Sequence, residues 1–323
     1  MSAAQSEGRR EASLGNILVL AGGVSAEHEV SLATGEAVTR ALLERGHQAS
    51  LLIIEQDPRS AGTGLVRRLL EQRPDVVFVG LHGVGGEDGR VQGLLEWLRI
   101  PYTGSGVEAS AVAMNKDLSR QIFAQLSVPH PRGFLWRGPE DLDQREAFLA
   151  TTHSGSWALK PPSEGSSVGV RKLNTIDDLR EALDQSKDQL LVEEWIEGIE
   201  VSVPVFQDEA WAPVEIEAAA EAGWYNYEAK YQRGDTRYHL PARLPLAQRE
   251  QLRQFALKVH TGLSCRGVSR SDFIVSGDAC YALEINTLPG MTGSSLVPKA
   301  AAAMGIDFPF LIERLVRDAS LSR

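Results

Sequence analysis

Cysteine is scarce in this chain: Cys265 and Cys280 are the only two in 323 residues, too far apart for a CxxC pair and without an accompanying histidine cluster. A disulfide framework and a zinc site are therefore excluded, and reduced structural thiols are expected. Long apolar runs are also lacking, so no membrane-spanning helix is expected, and the polar stretch Met1 to Gly15 has no signal-type apolar core. Positive charge is in deficit, with 33 Lys and Arg against 43 Asp and Glu, and no dense basic stripe offsets the net charge of −10. That balance argues against a nucleic-acid partner. Internal repeats and low-complexity tracts are absent too. What remains, 43% hydrophobic and 24% charged residues, is the composition of a soluble globular protein, and a cytoplasmic location is the expectation. The length suits two or three domains rather than one core.

The most informative stretch runs from Gly267 to Leu296. Phe273 to Val275 and Tyr281 to Leu283 read as short strands, with Ser276-Gly277-Asp278 as turn chemistry between them. A three-residue loop would pair Val275 with Ala279, Asp272 with Ala282 and Arg270 with Glu284. Strand alternation then places Arg270, Asp272, Glu284 and Asn286 on one face. Two carboxylates and an amide oxygen suit Mg²⁺, which takes hard oxygen ligands and shares them with substrate phosphates. The same grouping would also serve as an ordinary surface ion-pair cluster. After the hairpin, Asn286 to Thr292 forms a Pro/Gly loop, and Ser294 and Ser295 open a helix from Leu296 to Met304. Such a helix start suits a substrate carboxylate.

Along the rest of the chain, Asn16 to Ala21, Gln48 to Ile54 and Asp75 to Leu81 read as parallel-type strands. Helices from Ala26 to Arg45 and Leu65 to Gln72 separate them. This βαβαβ order predicts an open sheet with ligands at the strands' carboxyl ends. Two loops lie there, Gly22 to Glu27 and His82 to Gly89; the first is not a GxGxxG fingerprint, and alone it leaves Glu27 and His82 as solvated loop residues. One helix is predicted from Val107 to Leu126, carrying Lys116. Lys160 closes the apolar strand Trp157 to Lys160, where a buried lysine needs an anion. The Gly/Ser loop Pro161 to Val170 follows it, able to present N–H groups to phosphate, though the lysine precedes the glycines and the pattern is not Walker A. A helix at Ile176 to Gln185 and strands at Leu190 to Glu194, Val201 to Phe206 and Trp211 to Ile216 follow. The aromatic, charged loop Trp224 to Asp235 then reads as a lid.

These motifs, in this order from Asn16 to Leu315, resemble the D-alanine–D-alanine ligases of the ATP-grasp superfamily. The resemblance rests on Gly22 to Ser31, His82-Gly83 through Asp88-Gly89, Pro101 to Gly106, Lys160 to Gly169, Tyr227 to Tyr231 and Glu284 to Pro298. It implies an α/β, three-domain ATP-grasp fold with an N-terminal Rossmann-like (preATP-grasp) domain. The expected divisions are a leader at 1–15, the N-terminal domain at 16–106, the central domain at 107–200 and the C-terminal domain at 201–323. It further implies ATP-dependent joining of two D-alanines through a D-alanyl phosphate for peptidoglycan synthesis. By position, Lys116, Lys160 and Lys230 would contact the ATP phosphates, Glu193, Glu194, Trp195 and Ile196 the adenine, and Glu200 the ribose. Asp272, Glu284 and Asn286 would hold two Mg²⁺ ions, with Mn²⁺ as a substitute. Arg270 would sit beside the acyl phosphate, and Glu27 would hold the first D-alanine's ammonium with Ser166 and Tyr231 beside it. His82, Gly290, Ser295 and Leu296 would line the substrate subsites. A homodimer is implied as well. Three positions depart from the family pattern: Ser271 replaces an aliphatic residue, Pro204 interrupts a strand and suggests an edge or bulge, and Glu194 sits in the hinge where the family is more variable. A paralogue with another second substrate and a non-catalytic nucleotide-binding module are the rival readings.

Overall fold

The computed structural model describes residues 13–152, 155–165, 169–218 and 236–321. Ser166, Lys230 and Tyr231, and with them the expected lid from Trp224 to Asp235, lie outside the described residues. Strands β1 (Asn16–Gly22), β2 (Gln48–Ile54) and β3 (Val76–Val79) form a parallel sheet in the order β2-β1-β3. Helices α1 (His28–Glu44) and α2 (Pro58–Gln72) are its crossovers. Residues Ile17 to Ala21 of β1 are all fully buried, as a sheet covered on both faces requires. Helix α2 begins earlier than its apolar periodicity indicates, because Pro58 takes the first helical position and the Asp57 side chain accepts from Arg59 N at 3.0 Å.

After α3 (Arg90–Leu98), the single helix expected from Val107 to Leu126 is two, α4 (Val107–Met114) and α5 (Lys116–Gln125). Asn115 breaks it with extended backbone, and its side chain accepts from the Asp117 and Leu118 N–H groups. Lys116 thereby becomes the first residue of a new helix, and its own N–H donates to the Pro162 carbonyl at 2.8 Å.

The next sheet is antiparallel, in the order β4 (Gly133–Trp136), β7 (Leu190–Glu194), β5 (Trp157–Lys160) and β6 (Arg171–Leu173). Helices α6 (Leu142–Thr151) and α7 (Ile176–Asp184) pack on it through Trp136, Phe148, Trp157, Leu159, Leu179 and Leu183.

The third sheet runs β11 (Arg237–His239), β10 (Val214–Glu217), β8 (Ile199–Phe206), β12 (Val268–Ser276), β13 (Ala279–Asn286), with β9 (Glu209–Ala210) also on β8. Helix α8 (Leu246–Gly262) covers its apolar face. Pro204 lies in the inner strand β8, where the ladder passes from β10 to β9, and its carbonyl accepts from Trp211 N at 2.8 Å.

The hairpin differs from the expected register. Ser276 pairs with Ala279, leaving a two-residue turn at Gly277-Asp278 with Gly277 at φ +57°, and a bulge follows so that Asp272 faces Glu284 and Arg270 faces Asn286. Without that bulge at Leu283, Glu284 and Asn286 would point to the opposite face from Asp272. The extra residue restores the parity, so the four chemical residues do share a face. Ser271 points the other way and is 1% exposed, its hydroxyl lacking a hydrogen-bond partner among the described residues.

Helices α9 (Leu296–Ala303) and α10 (Phe308–Arg317) return the chain to the first sheet. Leu311, Ile312, Leu315 and Val316 share one core with Ile17, Val19, Val38 and Phe78. The buried Glu313 carboxylate takes Arg45 and Arg317, and these partners hold its pKa below the usual carboxylate range against the opposing effect of burial. This closure brings the N-terminal loops against the end of the hairpin. Among the described residues, no helix is long and apolar enough to cross a membrane.

Candidate active site

A cleft with two compartments runs between the three sheets, and Lys116, Glu164 and Glu284 line both. One compartment is bounded by Lys160, Glu193, Glu194, Trp195, Ile196, Glu200, Asp272 and Ile274. The other is bounded by Glu27, His82, Glu87, Gly165, Arg270, Asn286, Gly290, Ser295 and Leu296. The described site residues expected from the sequence therefore gather in one cleft, from segments more than 200 residues apart.

In the first compartment Lys160 is 8% exposed and its ammonium lies 2.5 Å from Glu193 Oε2, the anion that a buried lysine requires. Glu193 is 2% exposed, and Arg120 Nε stands 2.9 Å from its other oxygen. Glu194, next on β7, points its carboxylate elsewhere, accepting from Thr152 Oγ1 at 2.6 Å with Arg132 at 3.8 Å. Glu200 and Ser202 on β8 face Ile274 and Asp272 on β12.

At the junction, Lys116 donates to the Glu164 carbonyl at 2.6 Å and stands 3.4 Å from Glu284 Oε2. Asp272 is 6% exposed and is gripped by a two-pronged Arg270 fork, Nε to Oδ1 at 2.9 Å and Nη2 to Oδ2 at 2.7 Å, with Ser202 Oγ donating to Oδ1 as well. The ion pair of the alternative reading is present between Arg270 and Asp272, but it is buried in the cleft wall rather than on the surface. Asp272, Glu284 and Asn286 present oxygens from one sheet face, and Asn286 Oδ1 accepts from Leu288 N at 2.8 Å. This hard-oxygen set, beside lysines and open to the cleft, fits Mg²⁺.

In the second compartment neither Glu27 nor His82 is a solvated loop residue: they are 7% and 5% exposed. The Gly22-Gly23 turn at the end of β1, with φ near +90° at both, delivers Glu27 to the start of α1. Glycines make its niche, since a Cβ at Gly165 would lie 2.5 Å from Glu27 Oε2 and one at Gly83 3.1 Å from it. Both His82 ring nitrogens are engaged, Nε2 with Thr34 Oγ1 at 3.0 Å and Nδ1 with Glu87 Oε1 at 3.3 Å. At the far wall Ser295 precedes α9 without capping it, its Oγ turning back to accept from Thr292 N at 3.0 Å. The N–H groups of Leu296 and Val297 open the helix, and Pro298 has none to offer.

Arg120, Glu87, Thr34 and Ser202 were not singled out in the sequence. Arg120 carried a signal, since it follows Lys116 by one helical turn and must share its face. The thiols stay out of the chemistry: Cys265 and Cys280 are free, and burial pushes Cys265 up to about 12. Glu215, Glu217 and His239 also converge, but Arg243 already pairs with both carboxylates, at 2.5 and 2.8 Å.

Three layered α/β units with a cleft between two antiparallel sheets, lined by lysines and metal-suited oxygens, define an ATP-grasp ligase. Comparison with known proteins agrees. Residues 144–317 match the family described as "D-ala D-ala ligase C-terminus", and residues 60–105 match "D-ala D-ala ligase N-terminus". The chain is 44% identical over 311 residues to the D-alanine–D-alanine ligase of Anaeromyxobacter sp. (strain Fw109-5), covering 94% of this chain and 97% of that one. It is 41% identical over 308 residues to that of Gluconobacter oxydans, covering 94% and 98%. Its fold is similar to the ATP-complexed D-alanine–D-alanine ligase of Bacillus anthracis, with TM-score 0.79, 28% identity and coverage of 94% and 97%. The Coxiella burnetii enzyme gives TM-score 0.76 at 26% identity, with 94% of each chain covered. The chain belongs to the D-alanine–D-alanine ligase family and is an ATP-dependent ligase.

Proposed function

We propose that the chain makes D-alanyl-D-alanine for peptidoglycan, with ATP in the compartment of Lys160 and Glu193 and the two D-alanines in the compartment of Glu27 and Arg270. The observation that carries this reading is the junction: Lys116 and Glu284 line both compartments, so a γ-phosphate and an amino-acid carboxylate would meet there. Lys116 and Lys160 neutralise phosphate charge, which is most of what phosphoryl transfer asks of a protein. Glu193 to Ile196 wall the adenine, and Glu200 reaches the ribose. Asp272, Glu284 and Asn286 would hold the divalent metal, two Mg²⁺ ions that Mn²⁺ could replace, and when bound it would supply charge neutralisation for the phosphate oxygens.

Glu27 binds the ammonium of the first D-alanine, with His82 beside it, and Gly290 leaves room in the wall. A carboxylate oxygen of that D-alanine attacks the γ-phosphorus, the bond to the bridging oxygen breaks, and ADP leaves. The second D-alanine is held through its carboxylate by Ser295 and the N–H groups of Leu296 and Val297, where the helix end favours an anion. Its neutral amine attacks the acyl carbon, inorganic phosphate departs, and the amine gives up a proton. Arg270, kept in the plane of Asp272 by its fork, faces the oxyanion of that tetrahedral intermediate. Ser166, Tyr231 and Lys230 complete the site in this reading, and the enzyme works as a cytoplasmic homodimer.

The test offers D-alanine and D-lactate together at neutral pH with ATP, and identifies the product by mass. D-alanyl-D-alanine with one ADP per dipeptide is expected. D-alanyl-D-lactate as the main product would replace this reading with the paralogue, and ADP formation indifferent to D-alanine would replace it with a nucleotide-binding module.

A further inference from the structure

Glu193 is buried in the wall of the nucleotide compartment with a different cation at each oxygen, and the two contacts differ in kind. The Lys160 contact is a short charge-assisted pair at 2.5 Å. Arg120 Nε is at ion-pair distance, 2.9 Å from Oε1, but without hydrogen-bond alignment, and neither atom has another hydrogen-bond partner among the described residues. Arg120 is itself anchored: it is 8% exposed, its Nη2 donates to the Pro131 carbonyl at 3.3 Å, and its Nη1 lies 3.6 Å from Asp117 Oδ1. It also sits one turn beyond Lys116 on α5, so a single rigid helix carries both cations.

Resting on the assignment of this compartment to ATP, we infer that Arg120 is a positioning residue that keeps Glu193 compensated while Lys160 exchanges that carboxylate for a phosphate oxygen. A carboxylate this deeply buried is strongly disfavoured without a cation. Were Lys160 its one partner, each nucleotide that drew the ammonium away would strand a buried negative charge. With Arg120 already 2.9 Å away, a small rotation aligns the guanidinium and the charge stays paired. Arginine suits the task because its planar fork stays charged and can hold Glu193 and the Pro131 carbonyl at once. Arg120 reaches the substrate only through Glu193 and Lys160.

The experiment compares Arg120→Met, Arg120→Lys, Lys160→Met and the double variant Arg120→Met/Lys160→Met. It measures the Kd for ATP by equilibrium binding, KM for ATP, kcat and thermal stability. Arg120→Met is expected to weaken ATP binding and raise KM on the order of tenfold, with kcat at saturating ATP within about twofold of the parent. Arg120→Lys is expected to recover most of the loss. Because the two residues act through one carboxylate, the double variant is expected to bind ATP no more weakly than Lys160→Met alone. If Lys160→Met weakens binding while Arg120→Met does not, or if the two losses simply add, the inference is overturned. If Lys160→Met also leaves ATP binding unchanged, the nucleotide assignment itself fails. Should Arg120→Met not fold, Arg120→Gln, which can still donate to Pro131, replaces it with the same readings.

Discussion

Replacing Gly165 by alanine should cripple the first D-alanine subsite without harming the fold. A Cβ there would lie 2.5 Å from Glu27 Oε2, and ordinary contact begins near 3.4 Å, so the carboxylate must withdraw by about 0.9 Å. The Gly83 side of the niche is also tight, at 3.1 Å from a Cβ position to the same oxygen, so the carboxylate would swing into the cleft, away from the position where it would hold the ammonium. A misplacement of about 1 Å at a positioned group costs on the order of 10²-fold in rate. We therefore expect kcat/KM for D-alanine, measured from initial rates at saturating ATP, to fall about 100-fold, equivalent to about 2.7 kcal/mol of transition-state stabilisation. ATP affinity should hold, since Gly165 lines only the second compartment. Stability should change little, because Gly165 is not among the positive-φ glycines and alanine accepts its backbone. A variant with kcat/KM within about threefold of the parent would refute the placement of the ammonium at Glu27.

Glu284→Gln removes a charged oxygen from the metal set at a position 28% exposed, so turnover should vanish while the thermal midpoint is kept; near-normal ADP formation at saturating Mg²⁺ would contradict the assignment. Arg270→Ala should lower kcat by roughly 10²- to 10³-fold, and should also lower the melting temperature, because Asp272 loses its fork while buried; normal kcat would refute the oxyanion role. His260, buried with Nδ1 2.7 Å from Ser269 Oγ, has its pKa lowered by burial to about 4 from 6.5. The unfolded chain then binds more protons between those values, so the contribution of His260 is complete above pH 6.5 and is lost as pH falls toward 4. Urea midpoints at pH 7 and 4.5 should differ more in the parent than in His260→Asn, and equal differences would remove this group from the acid response.

Much of this site was legible because the bulge cancels the one-residue difference in the turn, so the expected strand parity is kept. Arg270, Asp272, Glu284 and Asn286 share a face in the expected three-residue loop and in the observed two-residue turn with its bulge, since the two pairings differ by two residues. The bulge itself leaves no mark in local sequence. Lys160 was readable as a buried lysine needing an anion, but not that the anion is Glu193, because pairing of β5 with β7 is a long-range fact. Glu27 and His82 read as solvated for a similar reason. Glu27 is enclosed by Gly165 of the distant loop after β5, and His82 is held by Thr34 of α1, and no local pattern near either residue records those contacts. The break at Asn115 was legible in principle, since asparagine two residues before an acidic first turn is a cap signature, yet the apolar periodicity on both sides hid it.

In the proposed mechanism this cleft brings a D-alanine carboxylate to the γ-phosphorus of ATP. Turnover of D-alanine labelled with ¹⁸O in its carboxylate, followed by mass analysis of the inorganic phosphate, tests it directly. One ¹⁸O per phosphate is predicted, because the oxygen that attacks phosphorus leaves with it when the amine displaces phosphate from the acyl carbon. Phosphate free of label, alongside labelled dipeptide, would rule out an acyl phosphate formed by attack of that carboxylate.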